Sequence, residues 1–567
     1  MHYFVLLMNR NEILTLIAFV DKTRGLFEKK INSYDPDSDW KILSYIIKNH
    51  LDNKIVTISS LIQVSELPFA TGLRKVKKYI AEKKFIKRIK TKTGKSFSIH
   101  PSQKLIDEFL EYLISIKEEL AAELGFDQFN NSYYFGMSLS AGSIISPPYV
   151  LINTEKKFKK LNLLTNNNPT FMVIKKNIDF FSYLLDTKLE IEILEINKLL
   201  NRIRKNSETK KVSKIDLIAF NLPWIGELVK RKALTPLDDL IKNHSINIKD
   251  FHHSGVSASS YNDKLYGVPI ETIPDLLFYR NDLFKKFNIN KPNTLIDLLE
   301  CSKSIKESRA CESPIAWPAK KGQPIATSFI LMMANYGQPI VNLRHISGNI
   351  YDMGVNKNNL KPTFNSQAAY KAAQMLKDLI EYSPNNISSM SNDECVEYYR
   401  EGKSAMVMNW GSRASRFELD NKSPAYLNTS YLPRPSGLNN FQISPIGGFS
   451  LGIPSNVKPE KIPFIMNNMR HLVSPQVIKY YIEQGSFSCP VFSVLNDPEV
   501  RKISPLFNEL DAMEKEEKFV QWARYPLPEY SQIIEIIGNE IYECVFQSKS
   551  IKSALSKCQD AAITLIN

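Results

Sequence analysis

From Leu161 onward the hydrophobic period alternates between that of a strand and that of a helix, which leaves little alternative to a parallel α/β sheet. Strand patterns over 161–164, 189–196 and 214–220 enclose a helical stretch over 171–185. In such sheets ligands gather at the C-terminal ends of the strands. The expectation for this part of the chain is therefore a binding cleft built from loops.

The first 125 residues follow another grammar. Apolar residues at helical spacing predict helices over 11–32, 40–51, 56–63 and 69–84, the last opening after Pro68, which suits a first helical turn. The period then changes to two over 85–90 and 95–99, around Thr91-Lys92-Thr93-Gly94, as in a β-hairpin. This segment is strongly basic: residues 74–95 hold eleven Lys/Arg and one acid, ten of the fourteen net positive charges of the chain. Thr71, Arg74, Lys75 and Lys78 recur on one face of the 69–84 helix, with Val76, Tyr79 and Ile80 opposite. A helix fits the DNA major groove, so Arg74 is the candidate for guanine, Lys77 and Lys78 for phosphate, and Lys92 and Lys95 for a contact from the hairpin. The competing reading is a lysine-rich solvated face. The run ISSLIQVSELPFATGLRKVKKYIAEKKFIKRIKTKTGKSFSI resembles the MarR-like winged helix-turn-helix family. That resemblance implies binding to double-stranded DNA as a homodimer, with the helices over 11–32 and 103–124 at the dimer interface. Their packing on the chain's own receptor part is the alternative.

A chain of 567 residues calls for two or three folded units. The expected division is a winged-helix domain over 1–124, an aromatic connector over 125–160 and a two-lobed domain over 161–567. The six cysteines show no CxxC or other metal spacing and read as reduced thiols. The N-terminal apolar runs are interrupted by Asn9, Arg10, Asn11 and Glu12, unlike a secretory signal. No stretch of about 18 uninterrupted apolar residues predicts membrane insertion. These features give a cytoplasmic expectation, with Met1 or Met8 as the start.

Several runs after residue 160, among them IDLIAFNLPWIGELVKRKALTPLDDLI, YNDKLYGVPIETIPDLLFYRNDLFKKFNINKPNTLIDLLE, EGKSAMVMNWGS and RYPLPEYSQIIEIIGNEIYECVFQSKSIKSALS, resemble the family 1 extracellular solute-binding proteins, receptors of carbohydrate ABC importers. The resemblance implies a periplasmic-binding-protein-like type II fold, two α/β lobes closing on a ligand. Sugars present apolar C–H faces and many hydroxyls, so aromatic plates with planar polar groups suit them. Trp410 matches the family's stacking aromatic, and Trp224, Glu271, Trp317, Gln323, Arg413, Gly448, Phe449 and Arg524 complete the candidate set. His252-His253 lacks a completing ligand, and no P-loop, GxSxG or HExxH is present, so no metal, cofactor or catalysis is expected. Two functions follow, with an enzyme using the interlobe cleft as a third reading that no motif favours. One is a ligand-responsive transcriptional regulator that binds operator DNA and a carbohydrate-like solute. The other is a transporter receptor with an accessory N-terminal docking or dimer domain.

Overall fold

The computed structural model describes residues 38–52, 54–89, 97–107, 148–151, 157–209, 211–354, 359–438 and 441–567, with 17, 109, 145 and 153 singly. Its contacts divide the chain into two units, Met1–Val150 and Leu151–Asn567.

In the first unit, α1 (Ser38–Leu51), α2 (Ile58–Val64) and α3 (Phe69–Ala81) precede an antiparallel pair, β1 (Phe85–Ile89) and β2 (Phe97–Pro101). Ile42, Ile46, Leu61, Val76, Tyr79, Phe85 and Ile99 form its core. Helix α2 starts later than the sequence pattern suggests because Thr57 caps it. The Thr57 hydroxyl accepts from the Ser60 amide at 3.1 Å, and the Ser60 hydroxyl accepts from the Thr57 amide at 3.0 Å. Val56 stays extended and bridges Ile99. Helix α3 ends before residue 84 because Lys83 turns to a left-handed φ of 58°. The predicted 11–32 helix, apart from Ile17, and most of the 103–124 helix lie outside the described residues, as do Lys92, Lys95 and most of the connector.

The second unit is the alternating α/β structure. In chain order it contains β3 (Lys160–Asn166), α4 (Pro169–Lys176), α5 (Ile178–Leu184), β4 (Lys188–Leu194), α6 (Ile196–Glu208), β5 (Leu217–Asn221) and β6 (Val268–Arg280). Then come β7 (Ser313–Ala316), α7 (Gln323–Asn335), α8 (Gln367–Leu379), α9 (Asn392–Arg400), β8 (Ser404–Trp410), β9 (Thr429–Leu432) and β10 (Ser444–Gly452). Helices α10 (Tyr530–Phe546) and α11 (Ile551–Ile566) close the unit. The single helix expected over 171–185 is two, α4 and α5. At the joint Asn177 leaves helical geometry, with φ −112° and ψ 37°, and its side-chain amide donates to the Val173 carbonyl at 2.9 Å beside its own backbone N–H.

The main sheet runs β4-β3-β5-β10-β6-β8-β7, with β9 also on β6. Strand β3 is parallel to β4 and β5, and β10 is antiparallel to β5 and β6. Strand β6 changes partners midway: Val268 to Pro274 pair with β10, and Asp275 to Tyr279 pair with β8. The first half belongs to lobe 1 and the second to lobe 2. Proline has no N–H to give to a ladder, so Pro274 suits the position where one ladder ends. The chain returns to lobe 1 between β9 and β10, then crosses again through 521–529 so that α10 packs on α7 and α8 in lobe 2.

A buried latch holds the last crossing. Glu227 of lobe 1 accepts from Arg204 at 2.5 and 2.9 Å, and from Ser531 of α10 at 2.8 Å. Burial would raise its pKa, but Arg204, Ser531 and Arg231 together hold it below the ordinary value.

In lobe 2, burial of Glu418 raises its pKa from the ordinary 4.5 to about 7, although the Tyr431 hydroxyl donates to it. A raised carboxyl pKa contributes stability below the unfolded value and loses it as pH climbs through the folded one. Glu418→Gln should therefore flatten the pH dependence of thermal unfolding between about pH 4.5 and 7 and raise the melting temperature above pH 7, by at most about 3 kcal/mol of stability.

Candidate functional site

A cleft of about 560 Å³ opens where the strands of lobe 1 end and the helices of lobe 2 begin. Lobe 1 contributes Asn166 at the end of β3, Asn167 and Asn168 after it, Glu195 after β4 and Asn221 at the end of β5. Lobe 2 contributes Lys320 to Gln323 ahead of and into α7, Asn392 and Asp393 at the start of α9, Trp410 at the end of β8 and Arg413 after it. Gly448 of β10 and Arg524 of the last crossing complete it.

Trp410, half-exposed at the end of β8, is the aromatic plate. Its ring lies under the Arg524 guanidinium, 5.3 Å from the ring centre. Arg524 donates to Asn221 Oδ1 at 3.1 Å and to the Tyr530 hydroxyl at 3.3 Å. Asn221 in turn donates to the Gly448 carbonyl at 3.1 Å. This chain of bonds ties β5, β10 and the last crossing around the plate. A Cβ on Gly447 would lie 2.8 Å from the Trp410 ring and 2.9 Å from Arg524 Nη1, so the plate needs a glycine there.

Arg413 is held from the other side by Asp393 at 3.0 Å, which also receives Arg416 at 2.7 Å. Burial would raise the Asp393 pKa, and these two guanidinium groups lower it below the ordinary range. Glu271 sits behind the cleft wall, fully buried, accepting from Asn168 at 2.9 Å. Burial raises its pKa against the opposing effects of Asn168, Thr170 and Arg413. Its role is to orient Asn168.

Six of the nine residues singled out in sequence border this cleft: Gln323, Trp410, Arg413, Gly448, Phe449 and Arg524. The Phe449 ring is buried edge-on against Phe171. Two tryptophans are corrected. Trp317 is fully buried in lobe 2, where its indole N–H donates to Ser383 at 2.9 Å, so it is a core residue. Trp224 lines an adjoining pocket of about 470 Å³ with Arg204 and Tyr530, away from the Trp410 plate. The asparagines of the β3 loop and Asn221 were missed. Their sequence signal was the position after an apolar strand, where α/β sheets put binding groups.

Elsewhere, His252 is buried against Phe492 and His253 is exposed, so the two rings do not converge. Asp275 pairs with Arg434. In the first unit, Arg74, Lys77 and Lys78 are exposed on α3 and Thr71 is half-buried. Lys78 lies 3.8 Å from Glu82. Lys75 is corrected: its ammonium turns back to the Ser38 hydroxyl at the start of α1. No helix among the described residues is long and apolar enough to cross a membrane.

Residues 167–507 match the profile of the family described as bacterial extracellular solute-binding protein. A Deinococcus radiodurans protein named "Probable ABC transporter-binding protein" is 24% identical over 307 residues, 53% of this chain and 68% of that protein. A Brucella abortus relative is 21% identical over 224 residues, and the match spans 49% of its length. Among solved structures, an ABC transporter solute-binding protein of Agrobacterium radiobacter in complex with ribitol superposes with a TM-score of 0.64 at 21% identity, covering 72% of this chain and 98% of that one. A counterpart from Agrobacterium vitis with bound D-mannitol gives 0.59 at 21%, covering 72% and 98%. At these identities the likeness shows the two-lobed fold. The family's extracellular character overturns the cytoplasmic expectation.

Gly448 has a φ of +118°, and a Cβ there would lie 2.2 Å from the Glu271 carbonyl. Gly448→Ala should cost about 2 kcal/mol or more, read as a lower melting temperature of the unliganded protein.

Proposed function

The chain belongs to the bacterial extracellular solute-binding proteins, and from that premise we propose that it is a receptor for a sugar or polyol delivered to an ABC importer. The observation that carries this reading is the Trp410 plate set among the amide side chains of Asn166, Asn167, Asn168, Asn221 and Gln323 in one cleft. An indole face takes the C–H side of a sugar, and amides both donate to and accept from hydroxyls. The cleft volume of about 560 Å³ falls within the range of small-ligand sites. The ribitol and D-mannitol bound by the two Agrobacterium proteins support the same ligand class. The proposed activity is binding without catalysis, with hinge closure about β6 burying the ligand between the lobes.

Trp410→Ala should abolish ligand-induced thermal stabilisation while leaving the unliganded melting temperature within about 2 °C, because the ring is half-exposed. An unchanged ligand shift would remove Trp410 from the site.

For the first unit the proposal is contact with duplex DNA through α3. Arg74, Lys77 and Lys78 are exposed on a helix whose Val76 and Tyr79 are buried, which supports a polyanion-facing surface. Fluorescence anisotropy of the full chain with labelled duplex DNA should show binding that weakens steeply with salt. Arg74→Ala with Lys77→Ala should lower the log–log salt slope by about two. No binding at low salt would leave the unit as a docking or dimer domain.

A further inference from the structure

Arg524 is 94% buried, being 6% exposed, yet it has no carboxylate partner among the described residues. Its Nε and Nη2 are used by Tyr530 and Asn221, and its Nη1 donates to no acceptor among them. The Asp275 carboxylate acts on Arg524 through space but is bonded to Arg434, so the guanidinium has no ion pair of its own, and the Trp410 face offsets only part of the cost of its burial. Buried charges of this kind are ordinarily completed by a carboxylate or phosphate.

The surroundings have the same sign. Lys320, Lys321, Arg413 and Arg524 border the cleft, against the carboxylates Glu195 and Asp393. Asp393 and Arg413 engage one another, with Arg416 joining from outside the cleft, and Glu195 is engaged by Lys198 at 3.1 Å, so Lys320, Lys321 and Arg524 are the cleft cations without an ion pair among the described residues. Helix α7, 13 residues long, begins in the cleft at Gly322 with no side-chain cap and no acid in its first turn. Pro324 has no N–H and the Ile325 N–H is bonded to the Lys320 carbonyl, so the helix start adds its dipole and the Gln323 N–H to the positive field. Arg524 also borders a pocket of about 600 Å³ on its other side, but the only other charged residue lining that pocket is Asp263. The excess of cations is on the Trp410 side.

We infer that the natural ligand is an acidic sugar derivative, a sugar acid or a sugar phosphate. Its anionic group would take the free Nη1 of Arg524 beside Lys320, Lys321 and the start of α7, with its carbon skeleton on Trp410. The inference rests on the receptor reading above and specifies the ligand of that site.

The test is calorimetric and thermal-shift titration of the full chain with pentoses, hexoses and polyols, each beside its aldonate or uronate and its phosphate ester. Inorganic phosphate and acetate serve as anion controls. Acidic members should bind at least about tenfold tighter than their neutral parents at low salt, with the advantage shrinking as salt rises. The aldonate and phosphate arms identify which anion is preferred. Arg524→Gln should erase the preference. Because Arg524 is buried, Lys320→Gln with Lys321→Gln, both exposed, provides a second variant that keeps the fold and should reduce the preference several-fold. A neutral parent binding as tightly as its acidic partner overturns the inference and leaves the sugar receptor standing. Binding of the simple anions as tight as that of the acidic sugars also overturns it. Silence across the whole panel overturns both.

Discussion

One strand carries both lobes. Because β6 pairs with β10 up to Pro274 and with β8 from Asp275, the hinge is a continuous piece of sheet. At the changeover Asp275 receives Arg434, which comes from the second crossing and also donates to Asn335 at the end of α7 at 3.2 Å. Asp275 is 4% exposed and Arg434 2%. Removing one member of such a pair strands a buried charge, a loss of about 3–5 kcal/mol. The pair thus fixes two of the three crossings in register, and the cleft inherits its geometry from that register.

The chemistry of the cleft follows from the same topology. Strands β3, β4 and β5 end on it, and α4, α6, α7 and α9 begin on it. Loops there carry asparagines, whose amides bond one another, Glu271 and Arg524 around the cleft wall. Two glycines in β10 let the sheet approach Trp410 and Glu271 more closely than any side chain allows. The site is therefore assembled from residues up to 358 positions apart, Asn166 to Arg524, with no local sequence motif of its own.

This explains what could be read in advance. The strands over 160–166, 188–194 and 217–221 were visible because apolar runs of that length between polar breaks have few other uses. Trp410 and Arg524 were found through likeness to a family. Trp317 and Trp224 were misread because a tryptophan near a strand end looks the same in sequence whether its ring turns inward or outward. Trp317 is decided by Ser383 and Phe546, which lie 66 and 229 positions downstream. The turn of Lys75 toward Ser38, 37 residues upstream, was hidden for the same reason. Helix ends slipped where a cap intervened, as at Thr57.

The order of the crossings also bears on how the chain is made. Lobe 1 has the main strands of its sheet once β10 is synthesised, by residue 452, and gains a last short strand, Phe519–Val520 on β10, before residue 530. Lobe 2 must wait for α10 and α11, whose Ile533, Ile537, Ile541 and Leu555 help cover the apolar helices α7 and α8. During elongation between those two points, Phe329, Ile330, Leu331 and Met333 have no cover from α10. A chain stalled before residue 530 would carry one finished lobe and one open apolar surface, the kind of species that chaperones bind.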